Sequence, residues 1–167
     1  MKTLQFIHAL FWFAAVGLHP CASAQSAEAR AKPEAFSALE IIKKSAQKTQ
    51  DACMQFVQMN VFEFEECVNA RLTKTRLPPA ERLGIVYMGF VGALSAQRMG
   101  SQGSQQVAWS FGKQAQKVQK LLRITDQNLC ATVPGDCDSR LARTKFLLNG
   151  PAPAPLTENE LSGAHRH

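Results

Sequence analysis

The sequence predicts an all-α protein, an irregular bundle of four or five helices stapled by two disulfides and ending in a disordered, proline-rich tail. Three observations carry that prediction. Apolar residues recur at helical spacing from Phe36 onward. Glycine and proline punctuate the chain at only a few boundaries, and no segment reads as a convincing strand. Four cysteines remain once the N-terminal segment is set aside, an even number that reads as two bridges.

The first 24 residues, "MKTLQFIHALFWFAAVGLHPCASA", have the pattern of a cleaved export signal. Lys2 supplies the positive end, Leu4 to Leu18 a mostly apolar run, and Ala22-Ser23-Ala24 an A-x-A cleavage site. The run is shorter than the roughly 20 residues a membrane span requires, so no transmembrane anchor is expected after cleavage. A lipoprotein site at Cys21 is the rival reading. His19-Pro20 fits it poorly, because such sites favour small residues before the cysteine. Cleavage after Ala24 leaves 143 of the 167 residues, enough for one domain with one core. Export and paired cysteines both point to an oxidising compartment, the periplasm or the exterior.

Residues 25–34, "QSAEARAKPE", are small and polar and read as a flexible lead-in to a single helical domain over 35–149. Phe36, Leu39, Ile42, Ala46, Cys53, Phe64 and Leu72 then follow a period near 3.5. Pro78 and Pro79 end that stretch and open the next helix. Leu83 to Ala96, "LGIVYMGFVGALSA", carries no charge and reads as a central core helix. Gly89, Gly92, Ala93 and Ala96 offer a surface on which a neighbouring helix approaches closely. After the turn "MGSQGSQ", Val107 or Ala108, Phe111, Ala115, Val118 and Leu122 mark the buried face of another helix. Asp136 or Asp138 is placed to cap a last helix that ends near Asn149. Residues 150–167 form the tail.

Reach decides between the three possible cysteine pairings. One straight helix over residues 36–72 would be about 55 Å long and would hold Cys53 and Cys67 about 21 Å apart. A disulfide requires α-carbons within about 7 Å. A turn near Met59 to Val61 brings the two cysteines together, since each lies seven residues from Asn60. Asn60 tolerates the left-handed conformation that ends a helix, and the extra apolar residues Met59, Val61 and Phe62 suit a buried corner. Cys130 and Cys137 close locally around Val133-Pro134-Gly135. The expected bridges are therefore Cys53–Cys67 and Cys130–Cys137, with cross-pairing as the alternative.

Several chemistries have no residues to run on. His8 and His19 lie in the signal and His165 and His167 in the tail, so the domain holds no histidine for a Ser-His-Asp or Cys-His centre. There is no P-loop, dinucleotide fingerprint, haem-attachment motif or H-E-x-x-H zinc motif. No metal or cofactor is expected; the terminal "AHRH" is at most a loose copper or nickel site. The carboxylates Glu63, Glu65, Glu66 and Glu81 keep open a hydrolase acting on cell wall, with Glu63, Glu66 and Glu81 as its acids. Such clusters are more often solvated helix ends.

Charge is the best functional lead. Residues 67–125 carry nine bases (Arg71, Lys74, Arg76, Arg82, Arg98, Lys113, Lys117, Lys120 and Arg123) against Glu81 alone. The segments on either side are slightly acidic. Such a section attracts anions, although acidic residues of "EFEE" docking on it would neutralise part of the field. Aromatics for base stacking are few, with Tyr87, Trp109 and Phe111 only, so nucleic acid is not the expected partner. The expected function is a non-enzymatic periplasmic or secreted accessory protein. Its basic section, chiefly Arg71, Lys74, Arg76, Lys113, Lys117, Lys120 and Arg123, engages a protein or an anionic envelope component, lipid headgroup or polysaccharide. The alternative is a small carrier enclosing an apolar ligand with Phe56, Phe62, Phe64, Tyr87, Met88, Phe90 and Trp109.

Overall fold

A computed structural model describes residues 22–73 and 76–157, with side chains from Ser37 on. The described chain is all-helical. Its elements are α1 (Ala22–Val57), α2 (Val61–Leu72), α3 (Pro79–Arg98), α4 (Ser104–Leu122), α5 (Asp126–Cys130) and α6 (Cys137–Asn149). The sixth element arises because residues 126–130 form a short helix of their own, α5. Its N-cap, Thr125, accepts a hydrogen bond from the Asn128 N–H at 3.2 Å.

Two boundaries differ from expectation. Residues 25–34 belong to α1 and are not a loose lead-in. Alanine, glutamate, glutamine, lysine and arginine dominate that stretch, and these are strong helix formers even where no apolar face is present. The cleavage expected after Ala24 falls near the start of this helix, and residues 1–21 of the expected signal lie outside the described ones. The corner at Asn60 is present, but its geometry is the other kind. Asn60 is extended (φ −157°, ψ 126°) and caps α2, its side-chain oxygen accepting from the Phe62 N–H at 2.8 Å. The residue starts the second helix; it does not end the first in a left-handed turn.

Both bridges pair as expected, Cys53 with Cys67 and Cys130 with Cys137. The first bridge and the hydrogen bond from Arg71 to Thr49 make α1 and α2 an antiparallel hairpin. Ile42, Ala46, Cys53 and Val57 on α1 and Val61, Phe64 and Val68 on α2 face the core. Against them lies α3, of whose twenty residues thirteen are buried, including Leu83, Val86, Met88 and Phe90. Most of this helix is covered, so α3 is the axis around which α1, α2 and α4 pack. The small residues expected to admit neighbours do so. A β-carbon at Gly89 would meet the Phe111 ring of α4 at 2.9 Å, and one at Gly92 would collide with the Phe64 ring of α2.

The α3–α4 turn needs glycine at Gly103, where φ is +75° and the Phe62 ring packs onto the α-carbon. Residues 150–157 of the tail have no helix or strand, and residues 158–167 lie outside the described ones. The described part of the tail runs back along this turn. The Ala154 carbonyl accepts from Gln106 at 2.8 Å, and Leu156 lies against Gly103. The last helix is capped by Asp136, which accepts from the Asp138 and Ser139 N–H groups. No helix among the described residues is long and apolar enough to cross a membrane.

Candidate partner-binding groove

On α4, Gln114, Lys117, Val118 and Leu121 fall at i, i+3, i+4 and i+7 and therefore share a face. On α3, Arg82 and Val86 lie one turn apart. Together the six residues line a groove of about 460 Å³ between the two helices. Its floor is apolar, formed by Val86 and Val118; Leu121 stands on its wall, and its rim carries Arg82 and Lys117. Leu121 is 71 % exposed, so its side chain offers apolar area to solvent beside the rim bases. Arg82, Lys117, Lys120 and Arg123 are all exposed, and none has an ion-pair partner among the described residues.

The seven bases expected to bind a partner divide into distinct groups. Lys117, Lys120 and Arg123 are exposed on the C-terminal half of α4, Arg123 as its left-handed C-cap. Arg76 is exposed in the connection before α3, and Lys74 lies outside the described residues. Arg71 and Lys113 are occupied within the fold. The Arg71 Nε donates to the buried Thr49 hydroxyl at 3.1 Å. The Lys113 ammonium donates to the Leu148 carbonyl at 2.7 Å and lies 5.6 Å from the centre of the Trp109 ring. That carbonyl belongs to the last turn of α6, which has no base of its own. Lys113 thus supplies from α4 the positive charge that a helix C-terminus favours.

The acidic segment does not dock on the basic helices. Among the described residues, no ion pair joins Glu63, Glu65 or Glu66 to a base. The reason is register: Val61, Phe64 and Val68 take the buried stripe of α2, which leaves Glu63 and Glu66 in solvent. Glu63 lies in the first turn of α2, where a negative charge is favourable. Glu65 is half-buried, and desolvation, aided by the neighbouring Glu66 charge, raises its carboxyl pKa above the ordinary 4.5. Neither Glu63, Glu66 nor Glu81 lines the α3–α4 groove.

Of the residues considered for an apolar ligand, Phe64, Met88 and Phe90 are at most 2 % exposed; the Phe64 ring of α2 packs over Gly92 of α3, and the Phe90 ring lies against Gly112 of α4. Tyr87 and Phe90 border a narrow cleft with Leu129, Leu141 and Leu148. No group of three or more metal-ligating side chains occurs among the described residues, and the "AHRH" terminus lies outside them.

No family model matches the chain, and no curated protein or solved structure is similar to it. Sequence reasoning did not single out Arg82, Val86, Gln114 or Leu121 as a unit. The one available signal was Leu121, an apolar residue one position off the expected buried stripe of α4.

The fold also contains a buried base outside the basic section of residues 67–125. Arg140 is only 7 % exposed. Its guanidinium donates to the carbonyls of Cys130, Val133 and Pro134, gathering the α5–α6 loop around itself. It also contacts the Tyr87 hydroxyl. That contact and the Arg140 charge act to lower the phenol's pKa, but burial outweighs them and raises it. Two disulfides and this clamp hold a chain suited to an oxidising compartment.

Proposed function

We propose that this chain is an exported, non-enzymatic interaction protein that binds an acidic protein face or an anionic envelope component through the α3–α4 groove. Export would follow from the N-terminal signal-like segment, with cleavage after Ala24 and delivery to the periplasm or the exterior. One observation carries the binding reading: exposed bases without ion-pair partners among the described residues flank an apolar-floored groove. An unpaired base on a surface costs little, since water solvates it. A base beside an exposed leucine on the wall of a groove is a different arrangement, because it offers charge and apolar area to the same ligand. Apolar contact supplies affinity that charge alone does not, and the bases supply selection and a faster encounter.

The test is charge reversal along the rim with the floor intact. Sedimentation with envelope fractions and with vesicles containing anionic lipid is measured for the wild type and for a variant carrying Arg82→Glu, Lys117→Glu and Lys120→Glu. Binding should fall at least about tenfold and weaken with added salt. Unchanged binding in the reversed variant would remove the basic groove from the explanation. Leu121→Ser separates the two contributions, since it should weaken binding while leaving the salt dependence in place.

A further inference from the structure

The two disulfides of this chain sit in opposite electrostatic surroundings. Cys53 is fully buried, and the Cys67 sulfur lies 3.7 Å from the Ala52 carbonyl oxygen, the negative end of a dipole. The Cys130 sulfur lies 3.8 Å from the Arg140 Nη1 and 3.4 Å from the Cys137 carbonyl oxygen. A guanidinium carries a full charge and a carbonyl only a partial one, so the balance at Cys130 favours a thiolate. Among the described residues no carboxylate pairs with Arg140; its other partners are neutral, the carbonyls of Cys130, Val133 and Pro134 and the Tyr87 hydroxyl. Its charge therefore remains available to a sulfur anion.

Access does not separate the bridges. Each joins one fully buried cysteine to one half-buried cysteine, Cys67 in the first and Cys137 in the second. What differs is the stability of the sulfur that would be expelled. In thiol–disulfide exchange, the rate rises as the leaving thiol becomes more acidic. Attack on Cys137 expels Cys130 beside a guanidinium. Attack on Cys67 expels Cys53 inside an apolar core, where a charge is costly.

We propose that Cys130–Cys137 is an exchange site for an external dithiol, with Cys137 the sulfur attacked and Cys130 the leaving group, while Cys53–Cys67 is structural. A thiolate of the dithiol attacks Cys137 Sγ, the bond between Cys137 and Cys130 breaks, and Cys130 leaves as the thiolate held by Arg140. The second thiol of the dithiol then attacks the mixed disulfide and releases Cys137. The dithiol is oxidised by two electrons; one of its two protons finishes on Cys137 and the other passes to solvent, leaving Cys130 as the thiolate beside Arg140. Reduction would open the α5–α6 loop and leave the α1–α2 hairpin closed.

The full-length exported protein is treated with graded dithiothreitol, quenched with an alkylating agent and mapped by peptide mass spectrometry. Cys130 and Cys137 should be alkylated at least about tenfold faster than Cys53 and Cys67. With glutathione in place of the dithiol, the trapped adduct should sit on Cys137. Arg140→Gln should slow reduction of this bridge by about three- to tenfold, while Arg140→Lys, which keeps the charge, stays near the wild-type rate. Equal or faster reduction of Cys53–Cys67 overturns the assignment, and so does an adduct on Cys130. If Arg140→Gln is reduced as fast as the wild type or faster, the guanidinium has no part in the exchange.

Discussion

Arg71 and Thr49 join the two arms of the α1–α2 hairpin: the guanidinium Nε donates at 3.1 Å to a hydroxyl that is fully buried. Thr49 in turn donates to the Ser45 carbonyl at 2.9 Å, and Ser45 donates to the Glu81 carbonyl at 2.7 Å. A short polar chain thus runs from α2 through α1 to the first turn of α3. Arg71 therefore belongs to the scaffold, although its charge suggests a surface role. Arg71→Ala should destabilise the protein by about 1 kcal/mol in urea unfolding, the size of a typical hydrogen bond. Binding to anionic surfaces should not change. Reversal of Lys117 and Lys120 should do the opposite, weakening binding without moving the unfolding midpoint.

Gly92 faces the Phe64 ring so closely that any β-carbon there collides with it. On helix propensity alone, Gly92→Ala would stabilise α3 by about 1 kcal/mol. Overpacking a well-filled core costs about 1 to 3 kcal/mol, and in the core of this bundle that term should win. Gly92→Ala is therefore expected to lower stability. Combining it with Phe64→Leu, which makes room for the methyl, should recover part of the loss. A double-mutant cycle by chemical denaturation reads the coupling directly; additive effects would mean that the ring does not set the spacing between α2 and α3.

Asn60 offers a substitution that distinguishes two backbone states. For an extended N-cap whose side chain accepts from Phe62 N–H, alanine should cost about 1 kcal/mol and glycine only a few tenths. A left-handed residue would respond differently, because glycine relieves strain there and should stabilise the protein. Thermal unfolding of Asn60→Ala and Asn60→Gly, compared with the wild type, checks this. A gain in stability with glycine would contradict the extended cap.

Much of the helical frame was legible in the sequence because burial imposes a period that composition cannot hide. The corner near Asn60 was legible for a second reason, the limited reach of a disulfide between Cys53 and Cys67. The role of Asn60 was not, since asparagine suits both an extended cap and a left-handed one and only the backbone distinguishes them. The internal use of Arg71 and Lys113 was equally hidden. A base at the edge of an amphipathic helix looks solvated until the fold brings a distant hydroxyl or carbonyl to it. The groove depends on how α3 lies against α4, which sets whether Leu121 points to the core or to water. Arg140 was hidden by the short, weakly amphipathic helix that carries it, in which a buried base and a solvated one occupy similar positions.

Glu65 gives the fold a pH dependence whose sign can be worked out. Its carboxyl pKa is raised in the folded protein, first by desolvation and then by the Glu66 charge, whereas in the unfolded chain it should lie near 4.5. A group with a raised folded pKa binds its proton more tightly in the native state. Its favourable contribution is present below the unfolded value and is lost as the pH rises through the folded one. At neutral pH the native state therefore carries a carboxylate it would rather protonate. Glu65→Gln keeps the shape and removes the charge, so it should be more stable than the wild type at pH 7. The advantage should disappear below about pH 4, where both side chains are neutral. Urea unfolding of the two proteins at pH 7 and at pH 3.5 measures the difference. An advantage for glutamine that persisted unchanged at the lower pH would trace to packing and not to the charge at residue 65.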